Sequence, residues 1–302
     1  MAERMVQVGD VQLWTEELGD PTAPPLLLIM GANTSAMGWP DELVTLLVDG
    51  GLRVIRYDHR DTGRSTRRDF AAHPYSVADL AEDALGVLDA YGIEAAHVLG
   101  LSLGGTIGQL LALDHRERLL TLTVTMTCAL DVDFAGNWMR ALAGEPSPDD
   151  LPTPEPAVVR AVTAARAEPA TDRETELEQR VAVWRALAGT ALPFDPEEFR
   201  RWEERDIDHS GTLQPPTAHS LATPVPRERG AELTGVTTPT LVIQGMEDPL
   251  NPPPHGQHLA DLIPTARLVE IPGMGHALSG PVHQPFAEAV LTHVHQYRYG
   301  NR

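Results

Sequence analysis

The sequence predicts an α/β architecture: a mostly parallel central sheet flanked by helices, interrupted by an inserted helical cap. Three observations carry this. Strand-like apolar runs alternate with segments of helical period along the first 130 residues and again after about residue 230. The run PLLLIM at 25–30 is apolar throughout and ends at Gly31, the pattern of a strand buried on both faces. Between about 131 and 229 the alternation stops, prolines cluster at Pro146, Pro148, Pro152, Pro154 and Pro156, and no strand pair is visible.

The elements follow in order. Residues 11–17 alternate apolar and polar and read as an early antiparallel strand. Residues 43–48 look helical, and 54–57 form the next strand. Val77, Leu80, Ala81, Ala84, Leu85 and Leu88 have helical spacing, and that helix closes at Gly92. A strand at 97–99 runs into Gly100, a helix occupies 103–113, and a strand occupies 120–126. The inserted segment reads as helices at 157–167 and 174–188 and contains Trp138, Trp184 and Trp202. Strand 240–244, helix 255–262, strand 267–271 and helix 282–296 complete the chain. The expected division is a core domain of residues 1–130 and 226–302 with a cap domain of 131–225.

Composition narrows the function. The chain has 302 residues, enough for one large α/β domain with an insertion. Its charge of −20 disfavours nucleic acid and anionic membrane surfaces as partners. All 23 basic residues are Arg, which excludes Schiff-base chemistry and Walker-type phosphate loops, both of which need a Lys amine. The single cysteine, Cys128, cannot form an internal disulfide or a thiolate zinc site. The opening MAERMVQVGDVQLW has no apolar run of signal-peptide length, and no stretch approaches 18 apolar residues. The expectation is a soluble cytoplasmic protein.

Gly100-Leu101-Ser102-Leu103-Gly104 matches G-x-S-x-G, with a strand before it and a helix after it. Such a turn holds the central side chain in a strained conformation at the carboxyl end of a sheet, and small neighbours prevent clashes. A serine hydroxyl needs a base, and position selects His276, in the Gly-rich loop beyond the last strand. His255, His258, His283, His293 and His295 lie on or near helices expected at the surface and read as solvated. The acid that orients the base is expected after strand 240–244, where Glu247 and Asp248 are the candidates. Two N–H donors for an oxyanion are expected at Leu103, after the nucleophile, and at Ala32, after the PLLLIM strand.

Together, the MGAN loop, YDHRDTGRS at 57–65, GLSLGG, the Asp248-Pro249 turn and PGMGH at 272–276 resemble the α/β-hydrolase superfamily. The longer stretches IRYDHRDTGRST, RDFAAHPY, RWEERDIDH, LIPTARL and EIPGMGHAL resemble, within it, the methylesterases of anthracycline tailoring, aclacinomycin methylesterase among them. RWEERDIDH at 201–209 weighs most, because it lies in the insertion, where unrelated hydrolases differ most. The resemblance implies the α/β-hydrolase fold, a Ser102–Asp248–His276 triad with no cofactor and no metal, and hydrolysis of a carbomethoxy ester on an aromatic polyketide. The sequence departs from the usual pattern at Met30-Gly31, where His-Gly is common, and at Ala32, where Gly is common. A main-chain donor survives both changes.

The expected partner is therefore a small aromatic ester. Trp138, Trp184 and Trp202, with Phe134 and Phe194, are candidate flat walls for it, or else the core of the cap. A general small-ester hydrolase, a lactonase and a cofactor-free haloperoxidase-like enzyme share this scaffold, as does a non-catalytic binding protein. Dehalogenases and epoxide hydrolases are disfavoured because they carry Asp where Ser102 stands.

Overall fold

The computed structural model describes residues 2–167 and 170–297. Eight strands form one sheet: β1 (Ala2–Val8), β2 (Val11–Leu18), β3 (Pro25–Ile29), β4 (Arg53–Tyr57), β5 (Ala96–Leu101), β6 (Leu119–Thr125), β7 (Thr240–Gly245) and β8 (Ala266–Ile271). Their order across the sheet is β1-β2-β4-β3-β5-β6-β7-β8. The β1–β2 and β2–β4 pairs are antiparallel, and every later pair is parallel. All residues of β5 and β7 are buried, as helices on both faces of a parallel sheet require.

The helices are α1 (Asp41–Asp49), α2 (Val77–Ala90), α3 (Leu103–Asp114), α4 (Phe134–Ala143), α5 (Pro156–Ala167), α6 (Arg173–Leu187), α7 (Pro196–Ser210), α8 (His255–Leu262) and α9 (Gly280–Gln296). The two-residue period of β3 assigns its side chains to opposite faces. Leu27 and Ile29 join a cluster with Leu80 and Leu88 of α2, Ile107 and Leu111 of α3 and Leu259 of α8. Leu26 and Leu28 join a second cluster with Leu43 and Leu47 of α1 and Phe286, Val290 and Val294 of α9. No helix among the described residues is long and apolar enough to cross a membrane.

Between β6 and β7 the chain carries α4, α5, α6 and α7. The expected helices at 157–167 and 174–188 correspond to α5 and α6. The sequence reading lacks α4, α7 and the edge strand β1. α7 buries only Phe199, Ile207 and His209 and is otherwise dominated by charged side chains, so its sequence reads as polar. β1 has one buried residue in seven, so its alternation is hidden on an exposed edge.

Three of the histidines expected to be solvated are buried. His255, His283 and His293 are 2%, 7% and 1% exposed. Each faces inward from α8 or α9 and donates its Nε2–H to a carbonyl: Pro152 at 2.9 Å, Leu278 at 2.8 Å and Pro239 at 3.3 Å. The apolar ring is thereby packed and its Nε2–H satisfied.

Candidate active site

β5 ends in the G-x-S-x-G turn. Ser102 stands there with φ 53° and ψ −116°, a region that side chains rarely occupy. Its neighbours make the turn possible. A Cβ on Gly104 would lie 2.0 Å from the carbonyl oxygen of Ile29, and one on Gly100 would lie 2.1 Å from that of Gly104. The Ser102 N–H donates to the carbonyl of Thr125 at 3.0 Å, and its own carbonyl accepts from Gly105 at 2.8 Å, so α3 starts directly after it. As the first residue of α3, Leu103 presents an N–H that has no intrahelical acceptor, at the positive end of the helix dipole.

The loop after β3 arrives beside this turn, because Ile29 pairs with Gly100 in the sheet. A Cβ on Gly31 would sit 3.3 Å from Cδ2 of Leu101 and 3.4 Å from Cβ of Ser102. Ala32, the candidate donor, therefore follows a residue that stands close beside the candidate nucleophile.

Asp248 and His276 follow β7 and β8 at the same carboxyl end of the sheet. Nδ1 of His276 lies 3.0 Å from both carboxylate oxygens of Asp248. A carboxylate only accepts, so Nδ1 carries the proton and Nε2 is left as the acceptor. Asp248 is 1% exposed, and its Oδ1 also accepts the N–H groups of Leu250 at 2.8 Å and Asn251 at 3.0 Å. Burial pushes its pKa up, but His276 and these N–H donors outweigh burial and hold it below the usual carboxylate range. Glu247, the other candidate acid, is otherwise engaged: Oε2 accepts the N–H and Oγ1–H of Thr190 at 3.0 and 3.1 Å.

The YDHRDTGRS segment explains itself once folded. Oδ1 of Asp58 accepts the Ala36 N–H at 2.8 Å, and Oδ2 accepts the Arg64 N–H at 2.8 Å and meets Nε2 of His209 at 2.7 Å. Asp58 is fully buried, and it pins together its own loop, the loop after β3 and the end of α7. Here the RWEERDIDH stretch meets the core. Arg205 bonds the carbonyls of Met37 and Trp39, and Asp206 accepts from Ser35.

The candidate aromatic walls divide. Trp184 stacks on Phe199 at 5.5 Å, and Phe199 stacks on Phe194 at 4.7 Å. Trp202 meets both Trp184 and Phe199 edge-on, and packs on the α1/α9 side of the core. These rings are largely occupied with one another. Phe134 and Trp138 form a separate pair at 6.2 Å on α4, and Trp138 packs beside Val158, Val162 and Leu187. Among the residues that shape the site, sequence reasoning missed Asn33, His59, Asp58, Leu187, His209 and His219. Asn33, Asp58, His59 and His209 lie within motifs it had noted, whereas Leu187 and His219 do not.

Residues 24–279 match the family described as alpha/beta hydrolase fold. The chain belongs to this family. Within the α/β hydrolases it is 55% identical over 293 residues to the rhodomycin D methylesterase DnrP of Streptomyces peucetius, covering 97% of this chain and 98% of that one. It is 54% identical, with the same coverage, to the rhodomycin D methylesterase DauP of Streptomyces sp. strain C5. Among solved structures, a hydrolase from Pseudomonas aeruginosa PA01 matches with TM-score 0.68 and 30% identity, covering 97% of this chain and 98% of that one. A thermophilic esterase from Thermogutta terrifontis matches with TM-score 0.71 over 99% of this chain and 100% of that one; at 21% identity the likeness is one of fold.

Proposed function

We propose that the protein is a serine carboxylesterase that removes the methyl group of a carbomethoxy ester from an aromatic polyketide of the anthracycline type. Methyl ester hydrolysis is supported by the two rhodomycin D methylesterases that match at 54–55% identity over nearly their whole length. The observation that carries the mechanism is the contact of His276 Nδ1 with both oxygens of Asp248 at 3.0 Å, on the sheet rim where Ser102 stands.

The reaction is acyl transfer to water in two steps. Ser102 attacks the ester carbonyl as Nε2 of His276 accepts its proton, and Asp248 stabilises the imidazolium. The N–H groups of Ala32 and Leu103 hold the tetrahedral oxyanion. His276 then protonates methoxide, methanol leaves, and water activated by the same imidazole releases the acid. The helices α4–α7 act as a cap over the site. The Phe134–Trp138 pair, which stands apart from the ring stack on α6 and α7, is the better candidate for contact with a fused-ring substrate.

The test is mass spectrometry of anthracycline-type methyl esters incubated with the enzyme and with Ser102→Ala. The reading predicts a product about 14 Da lighter with the enzyme, and at least about 10³-fold slower formation with the variant. Turnover of simple p-nitrophenyl esters alone, with no polyketide ester accepted, would favour a general esterase.

A further inference from the structure

The loop after β3 is not held by its own strand alone. Asn33 has a left-handed backbone, with φ 59°. Its N–H donates to Nδ1 of His219 at 2.9 Å, its Oδ1 accepts the His219 N–H at 3.2 Å, and its Nδ2 donates to Oγ of Ser220 at 3.0 Å. His219 comes from the segment Ala218–Leu221, 186 residues further along the chain. A ring nitrogen that accepts an N–H carries no proton, so the His219 proton is on Nε2, which donates to the carbonyl of Arg60 at 3.0 Å. Both ring nitrogens are thus committed, one as acceptor and one as donor.

A second histidine reinforces the loop. Nε2 of His59 donates to the carbonyl of Met30 at 3.0 Å, and its ring meets that of His219 edge-on at 5.3 Å. Around His219 stand His59, Arg60, Asp61 and Tyr75. Burial and Arg60 disfavour its charged form, against the opposing pull of the Arg60 carbonyl and Asp61, and the net effect lowers its pKa.

Ala32 lies between two fixed points. On one side Gly31 stands so near Ser102 that a Cβ on it would lie 3.4 Å from the serine Cβ. On the other the Ala32–Asn33 peptide is anchored at its N–H, which restricts ψ of Ala32. We propose that His219 is a positioning residue for the oxyanion hole, keeping the Ala32 N–H beside Ser102 by accepting the Asn33 N–H on an unprotonated Nδ1. The inference rests on the acyl-transfer reading above. Loss of one oxyanion donor slows related chemistry about 10²–10³-fold, so a displaced donor should cost part of that.

Two amide substitutions separate the two ends of the ring. His219→Asn offers an amide oxygen near the place of Nδ1 and gives up the bond to Arg60. His219→Gln offers an amide near the place of Nε2 and gives up the bond to Asn33. The proposal expects His219→Gln to lower kcat by about 10–10²-fold with KM within about twofold, and His219→Asn to recover most of kcat. A trifluoromethyl ketone, which forms an oxyanion on Ser102, should bind His219→Gln more weakly by about the factor lost in kcat; this readout decides the matter even if the Asn variant does not fold. Wild-type kcat in His219→Gln, or ketone affinity unchanged while kcat falls, would overturn the proposal. Ser102→Ala measured alongside keeps the two readings apart: turnover retained there contradicts the nucleophile assignment, whereas an inactive Ser102→Ala with a fully active His219→Gln contradicts only the role of His219.

Discussion

The backbone N–H of His276 donates to the carbonyl of Leu187 at 2.7 Å. Leu187 is the last residue of α6, where helix carbonyls lack intrahelical partners. The candidate base thus satisfies an open helix end of the inserted segment. Three residues on, Thr190 bonds the carboxylate of Glu247, the neighbour of Asp248. The inserted segment is joined directly to the loops that carry the candidate acid and the candidate base.

This junction has no room for a side chain at Gly275. A Cβ there would lie 2.3–2.4 Å from the backbone of Ala188 and the carbonyl oxygen of Leu187. Gly275→Ala must therefore push α6 and the His276 loop apart. The expected outcome is a loss of about 2 kcal/mol or more in stability and a fall of at least about tenfold in kcat, read by urea unfolding and steady-state kinetics.

Asp248→Asn should act through the tautomer of His276. The N–H groups of Leu250 and Asn251 both need an acceptor at Oδ1, so the amide oxygen takes that place and the NH2 faces Nδ1. The imidazole then carries its proton on Nε2 and cannot accept one from Ser102. The expected loss in kcat is about 10⁴-fold, as at the equivalent change in the serine protease triad, with the fold retained by circular dichroism.

Strain at Ser102 predicts an opposite movement of stability and activity. With φ 53° and ψ −116°, the residue occupies a conformation that glycine adopts freely. Ser102→Gly should raise stability by about 1 kcal/mol in denaturant unfolding, the relief of strain exceeding the added chain entropy, while esterase activity disappears.

Buried histidines set the acid limit. Burial lowers the pKa of His59 to about 3 and that of His293 to about 4. Their folded values lie below the unfolded one, so each contributes stability that is complete above about pH 6.5 and lost as pH falls toward the folded value. Stability should decline between about pH 6 and 4 with a slope of about 1.4 kcal/mol per pH unit for each histidine. His293→Gln keeps a donor for the Pro239 carbonyl but does not titrate, and should reduce the slope by about one proton in denaturation measured across pH. Asp248, whose pKa is lowered, adds a further loss only below about pH 4.

The parallel strands were legible because burial on both faces leaves unbroken apolar runs, as in 25–30 and 240–244. The G-x-S-x-G turn was legible because its sterics require glycine at 100 and 104. Asp248 and Glu247 could not be separated by spacing; their difference lies in which carboxylate meets His276 and which meets Thr190. His219 left no trace in the sequence, since its meaning comes from Asn33, 186 residues away. His255 and His293 were misread as solvated because a histidine on an amphipathic helix looks polar until its ring finds a carbonyl.

Ser102 as the nucleophile is the claim on which the mechanism depends. Peptide mapping after treatment with a fluorophosphonate tests it directly. The account predicts one phosphonyl group per chain, on Ser102, appearing in step with the loss of esterase activity. Full inactivation with the label on another residue, or undiminished activity with Ser102 modified, would contradict it.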